Sequence, residues 1–379
     1  MSSYVRAVRL VNFRNYADAT ALFSPGLNIV VGDNAQGKTN LLEAISFATM
    51  GSSPRTPNDS EVVRWGADFA RTEMRVSLDQ DPTDDPSEER KVAVGYAPGQ
   101  KKRLTVDGAP ASSLATYAAG GTGVRAVTFF PDDIGIVKGA PADRREFLDG
   151  LLSSLRPSYA RAVAEYAKAV QQRNQLLRRI RDGFSSERTL STWDRKVMDL
   201  GTEVLKGREA AAEPLTTLFG SAVRALYGPE KAALKYSYSA PLDGYAEALS
   251  EARGADIERG TTSVGPHRDD FAVLFGEVSM TTYGSQGQQR LSTLALKFAA
   301  REYLRRETGQ DPVLLFDDVM SELDEERRGY LSGYFLGSTQ AIITTTNLEY
   351  FDEEVLERAR VIRISGGTLS RPTRDGAKG

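Results

Sequence analysis

The chain has 379 residues, 40% hydrophobic, 26% charged and 8% aromatic, enough to bury one large core with material for a second. Lys and Arg number 48 against 51 Asp and Glu, a net charge of -3, so nucleic-acid binding has no support from bulk charge and would need a local patch. With no cysteine and a single histidine, His267, disulfides, thiolate zinc sites, iron–sulfur clusters, a cysteine nucleophile and a histidine-rich metal centre are excluded.

The opening segment MSSYVRAVRLVNF lacks a signal peptide's apolar stretch and cleavage site, and no later run approaches the roughly 18 apolar residues of a bilayer span. A cytoplasmic location without membrane contact is expected. Residues 27–31 (LNIVV) form a short apolar run ending in Gly32, and 38–50 place Leu41, Leu42, Ile45 and Ala48 on one helical face. That is strand, glycine loop, helix. TEMRVSL, RKVAVGYA and KKRLTVDG, within 72–108, alternate apolar and polar residues between Pro/Gly turns and predict a strand meander. The acidic stretch 79–89 reads as a solvated connection.

From about residue 141 the pattern becomes helical. Val163, Tyr166, Val170, Leu177 and Ile180 recur near a 3.5-residue period, as do Leu190, Trp193, Val197, Leu200 and Val204, with RDGFSS (181–186) as the turn between. A short antiparallel hairpin is expected. Residues 156–208 hold twelve Lys/Arg against six Asp/Glu, so positive charge concentrates here. Pro214 and Gly228 are expected to punctuate the exit. Strands return with ALKYSYS, then DFAVLFG and VSMTTY joined at Gly276 and Glu277, before a helix near 287–308. VLLFD (313–317) reads as a buried parallel strand, followed by strands AIITTT and VIRIS around a helix near 350–358. The tail 371–379 reads as frayed. The resulting domains are 1–140, a helical insert 141–228, and 229–379.

Gly32-Asp33-Asn34-Ala35-Gln36-Gly37-Lys38-Thr39 matches G-x-x-x-x-G-K-[ST] between the expected strand and helix. Glycines let backbone N–H groups wrap a phosphate at a helix N-terminus, so Gly32 through Asn40 are candidate nucleotide-binding residues. Lys38 would reach the β and γ phosphates of a bound nucleotide, and the Thr39 hydroxyl would ligate Mg²⁺. Asp317, at the end of VLLFD, is the second metal candidate. Asp318 could orient the attacking water or could simply turn the chain; both acids serve only if the strand ends there. Lys38 and Asp317 are separated by 278 residues, so both ends of the chain would build the site around a large insert. Ser285, Gly287 and Gln288, opening the 287–308 helix, form a second phosphate-binding surface suited to a nucleotide held by another subunit.

The phosphate loop, the Ser-x-Gly-Gln loop, and the apolar-Asp-acid run followed by Ser321-Glu322-Leu323-Asp324 resemble the ABC-type ATPase heads of SMC-like proteins. Within that class, Asn12-Phe13-Arg14-Asn15-Tyr16, the stretch 129–149, VGPHRDD (264–270) and FDDVMSELD (316–324) resemble the RecF family of bacterial recombination mediators. The resemblance implies an α/β, two-lobed P-loop ATPase head with a helical second domain. It further implies an ATP-dependent homodimer, slow ATP hydrolysis, binding to single- and double-stranded DNA, and loading of RecA at gaps with RecO and RecR. Ser285, Gly287 and Gln288 would then contact the partner's nucleotide, and Ser321 to Asp324 would face the dimer. Asp318 stands where the ABC class usually has Glu, and Thr344 to Asn347 where many transport ATPases have a switch histidine, so slow turnover is expected. A structural SMC-like clamp without mediator partners and a transporter ATPase subunit are the alternatives.

His267 beside Asp269 and Asp270 invites a hydrolase reading, but no G-x-S-x-G elbow is present. A histidine hydrogen-bonded near the core is expected, with a role at the nucleotide or dimer interface as the alternative. Arg14 is placed either near nucleotide or on the surface, and the aromatics around it in the core. For DNA, the basic hairpin 156–208 is the candidate arm, through phosphate contacts by Arg173, Arg178, Arg179 and Arg181, without base specificity.

Overall fold

A ten-residue strand, β1 (Tyr4–Phe13), turns through Arg14 and Asn15 into β2 (Tyr16–Leu22). Val8, Leu10, Phe13 and Tyr16 are buried whereas Arg9 is exposed, the pattern of a sheet with one wet face. The computed structural model describes residues 3–78, 89–228 and 231–370; nearly all of the acidic stretch 79–89, and the tail, lie outside the described residues. β3 (Gly26–Val31) and α1 (Lys38–Met50) follow as expected, and Leu41, Leu42, Ile45 and Ala48 are fully buried, each larger side chain worth about 1.5–3 kcal/mol. The meander is β4 (Ala70–Ser77), β5 (Glu89–Tyr96) and β6 (Arg103–Val106), closed by β7 (Ala109–Pro110). These strands join the first two in one antiparallel sheet of order β2-β1-β4-β5-β6-β7. A single turn, α2 (Leu114–Thr116), leads to β8 (Ala126–Phe129).

Residues Ile134–Tyr303 form a second compact unit. It opens with α3 (Gly135–Lys138) and α4 (Pro141–Leu155), then the expected hairpin of α5 (Pro157–Arg181) and α6 (Ser191–Tyr227). Pro214 does not mark the exit: it lies inside α6, which runs on to Tyr227. Proline removes one ladder bond, but Ala211, Leu215, Leu218 and Phe219 around it are buried, and Thr216 donates to the Leu234 carbonyl of β9 (Ala232–Ser237) at 3.2 Å. Packing outweighs the local defect. Arg173 is also corrected. It falls between Tyr166, Val170 and Leu177 on the buried seam and is fully buried itself. Its guanidinium donates to Asp194 at 2.8 Å, to Asp256 at 2.7 Å and to Thr262 at 2.8 Å, so it ties the unit together and is not available to DNA. Arg178, Arg179 and Arg181 are exposed.

After α7 (Tyr245–Glu251) and α8 (Arg253–Arg259), β10 (Asp270–Phe275) pairs with β9 and with β11 (Val278–Ser279) across Gly276. Strand does not continue through MTTY. Residues Met280–Tyr283 form a helical turn, α9, because Met280 is buried and its carbonyl is taken by Gly284 N–H and by the Gln289 side chain at 3.0 Å. α10 (Gln286–Thr308) follows.

The first unit, residues up to Asp133, is completed by those from Leu304. Its later elements are β12 (Val313–Phe316), α11 (Glu325–Leu336), β13 (Gln340–Thr345), α12 (Glu353–Arg358), β14 (Arg360–Ser365) and β15 (Thr368–Ser370). The second sheet has the order β15-β14-β3-β13-β12-β8, parallel except for its β15 edge. β3 thus lies between strands more than 300 residues away in sequence. In such sheets ligand sites form beyond the carboxyl ends of the strands.

Candidate nucleotide-binding site

The loop 32–37 leaves the carboxyl end of β3 and enters α1 through Gly37. Gly37 has φ +112°, and a Cβ there would lie 2.6 Å from the Asn15 amide nitrogen and 2.9 Å from the Tyr16 hydroxyl. Only glycine meets both demands. Around it the NFRNY turn holds the loop: Tyr16 donates to the Gly37 carbonyl at 2.9 Å, and Asn15 donates to the Gln36 carbonyl at 3.1 Å. Phe13 and Tyr16 are buried, as expected of these aromatics. From the far end of the chain, Gly366 N–H donates to the Gln36 side chain at 2.5 Å and Gly367 N–H to the Gln36 carbonyl at 3.2 Å. No side chain caps α1, so its first-turn N–H groups remain for a ligand.

Lys38, 7% exposed, donates to the carbonyls of Gly32 at 2.6 Å and Asp33 at 2.8 Å. Desolvation lowers its pKa below the ordinary lysine value, opposed by Asp318, Asp317 and Asp33. Thr39 donates to one oxygen of Asp317 at 2.7 Å, and Thr344 donates to the other at 2.6 Å. The chain does turn at the strand end: Asp318 has φ +48° and begins a short 3-10 turn. Its N–H donates to the Thr344 hydroxyl at 2.9 Å, and Ser321 donates to its carboxylate at 2.9 Å. Asp317 and Asp318 consequently face one cleft of about 350 Å³ together with Asn34, Gly37, Lys38 and Thr39.

One buried residue supports this cleft and one more lines it. Thr344, expected at the position of a switch residue, positions both acids. Arg55 lines the cleft and donates to Asn40 at 3.1 Å and to the fully buried Glu43 at 2.9 Å. Glu43 also accepts from Arg14 at 2.6 Å and 2.9 Å. Arg14 is therefore anchored beneath α1 rather than free on the surface. No motif marks Arg55; only the fold brings it to the cleft. Asp324, expected to face the dimer, accepts from Arg327 N–H at 3.0 Å and caps α11.

In the second unit, Ser285 and Gln288 form a reciprocal cap at the start of α10. Ser285 N–H donates to the Gln288 side chain at 2.9 Å, and Gln288 N–H donates to the Ser285 hydroxyl at 3.3 Å. Both are exposed, as is Gly287. His267 is hydrogen-bonded near the core: its Nε2 reaches the Thr262 carbonyl at 3.0 Å and its Nδ1 the Tyr166 hydroxyl at 2.7 Å. A carbonyl only accepts, so Nε2 carries the proton.

The chain matches the family model described as RecF/RecN/SMC N terminal domain over residues 4–367. A DNA replication and repair protein RecF from Heliobacterium modesticaldum is 36% identical over 377 residues, covering 97% of this chain and 99% of that protein. The chain belongs to the RecF family. The RecF of Bacillus subtilis is 34% identical, with 97% and 99% covered. A solved structure of the recombination mediator protein RecF with ATP, described in the RecFOR pathway, superposes with a TM-score of 0.87 at 31% identity over 98% of both chains. An SMC head domain from Pyrococcus furiosus shares the fold, with a TM-score of 0.57 at 17% identity. The α/β ATPase-head fold expected from the motifs is the fold of this RecF-family chain. Among the described residues no helix is long and apolar enough to cross a membrane.

Proposed function

We propose that this chain is an ATP-dependent DNA-binding protein of recombinational and replication-gap repair, acting in the cytoplasm and during the SOS response. The observation that carries the reading is the convergence of Thr39, Asp317 and Thr344 at the mouth of the phosphate loop. Gly32 to Asn40 bind the triphosphate, and Lys38 exchanges its carbonyl partners for phosphate oxygens. Thr39 and Asp317 would hold Mg²⁺: they are hard oxygen donors 2.7 Å apart, close to the ~2.9 Å between adjacent ligands of an octahedral ion with ~2.0–2.1 Å bonds. That ion, when bound, neutralises phosphate charge. Asp318, fixed by Ser321, orients the attacking water. Its side chain is one methylene shorter than glutamate, which supports slow hydrolysis and a timer rather than a motor.

The exposed Ser285, Gly287 and Gln288 act in trans on a nucleotide held by a second copy, so ATP selects the homodimer and hydrolysis releases it. The dimer engages single- and double-stranded DNA and works with RecO and RecR to load RecA. Sedimentation with and without ATP, with short DNA present, tests this. ATP should convert monomer to dimer, and Lys38→Ala should abolish the change. A nucleotide-loaded chain that stays monomeric at high concentration would refute the reading.

A further inference from the structure

The sheet β2-β1-β4-β5-β6-β7 has one face in its core and one in solvent, and the solvent face is not a neutral mixture. Arg9 on β1, Arg71 and Arg75 on β4 and Lys91 on β5 are all exposed and border a single hollow of about 500 Å³ above the low side chains of Ala7 and Ala93. Two of the four cations are neutralised. Arg9 is bidentate to Asp18 at 3.0 and 2.7 Å, and Arg71 pairs with Glu73 at 2.7 Å. Arg75 and Lys91 have no carboxylate partner among the described residues, yet the strand register sets them directly opposite each other. Like charges placed so are destabilising in a sheet. An anion lying over the hollow converts that repulsion into two attractions.

We infer that this face binds the sugar–phosphate backbone of DNA, with Arg75 and Lys91 as its central phosphate contacts. The inference rests on the DNA-binding reading above and names where the duplex lies. An extended polyanion fits better than a small phosphate ligand, because the strand N–H groups here are engaged in the ladders and no backbone nest is left to enclose one phosphate. The dimensions agree as well. Arg71 and Arg75 stand about 13 Å apart along β4, and Arg9 and Lys91 about 10 Å apart across it, by ordinary strand geometry. One DNA strand advances about 3.4 Å per phosphate, so several phosphates fall within the patch. The surrounding groups, Thr20 and Thr105 among them, offer no set of base-reading donors, and contact is independent of sequence.

The test uses the full chain and a fluorescein-labelled 30-base-pair duplex, with anisotropy followed from about 50 to 200 mM NaCl in the presence of ATP. Arg75→Ala/Lys91→Ala should lose at least tenfold in affinity and lower the salt slope by about 1.8, two contacts at roughly 0.9 each. Arg75→Glu/Lys91→Glu should bind more weakly still. Both variants should bind a fluorescent ATP analogue like the unmodified chain, since neither residue lines the nucleotide cleft. Unchanged affinity and slope in the double variants, while the unmodified chain binds the duplex, would overturn this inference alone. Failure of the unmodified chain to bind the duplex in any nucleotide state would overturn the DNA reading beneath it.

Discussion

At the scale of single residues, the glycine that closes the phosphate loop obeys different constraints from Gly287 in the first turn of α10. Gly37 is confined by φ +112° and by Asn15 and Tyr16, whereas a Cβ on Gly287 meets nothing within 4 Å. Strain of roughly 1–3 kcal/mol is expected at the first position. Gly37→Ala should therefore weaken binding of a fluorescent ATP analogue by tenfold or more, whereas Gly287→Ala should leave binding by the monomer unchanged. Equal affinities for the two variants would refute this account. The same scale explains what the sequence could and could not show. The motif displays Lys38 and Thr39 because loop chemistry is local. Arg55 carries no motif and reaches the cleft through its bonds to Asn40 and the buried Glu43, and the contact of Thr344 with both acids, unlike its place in the ABC pattern, depends on the pairing of β12 with β13.

Among the elements, the helical unit is held by buried charge as well as by apolar packing. Asp256 is fully buried against Arg173, and it also accepts from the N–H and hydroxyl of Ser263 at 3.0 and 2.6 Å. Arg173→Met strands that carboxylate and should cost about 3–5 kcal/mol in denaturant unfolding. Adding Asp256→Asn removes the orphaned charge, keeps an acceptor for Ser263 and should recover part of the loss. A second signature is a dependence on acidity. Desolvation, with Arg268 and Arg145 adding to it, lowers the His267 pKa to about 4, against the Thr262 carbonyl and Asp256, which raise it. The unfolded chain protonates near 6.5, so stability falls as pH drops from about 6.5 to about 4, by roughly 3 kcal/mol in all. His267→Gln should flatten that portion of the pH profile of thermal unfolding; parallel curves would rule the account out. Periodicity revealed the hairpin, but it could not tell a solvated arginine from Arg173, because spacing reports the seam and not which polar residues enter it. It likewise overrated Pro214, whose local cost is outweighed by packing against β9.

For the whole molecule, the trans reading of the second unit makes its own prediction. Ser285→Arg places a bulky cation at an exposed cap and should block ATP-dependent dimerisation seen by sedimentation, while ATP-analogue binding by the monomer stays within about twofold. Dimers that persist would reassign the Ser-x-Gly-Gln loop. The parallel core strands were legible as apolar runs and the meander as alternation. β1 and β2 were not, since a bulge between Val5 and Ala7 breaks the alternation of β1 and β2 is rich in alanine, and α11 is short and charged at its start.

The interleaving of the parallel sheet has a bearing on biosynthesis. β3 is flanked by β13 and β14, and Gln36 is fastened to Gly366 and Gly367. A nascent polypeptide still emerging from the ribosome cannot assemble the triphosphate pocket until its last strands are translated. On the nucleotide-binding reading, unfinished copies would be unable to hold a triphosphate, because the loop that cradles it is fully fastened only by the last residues made.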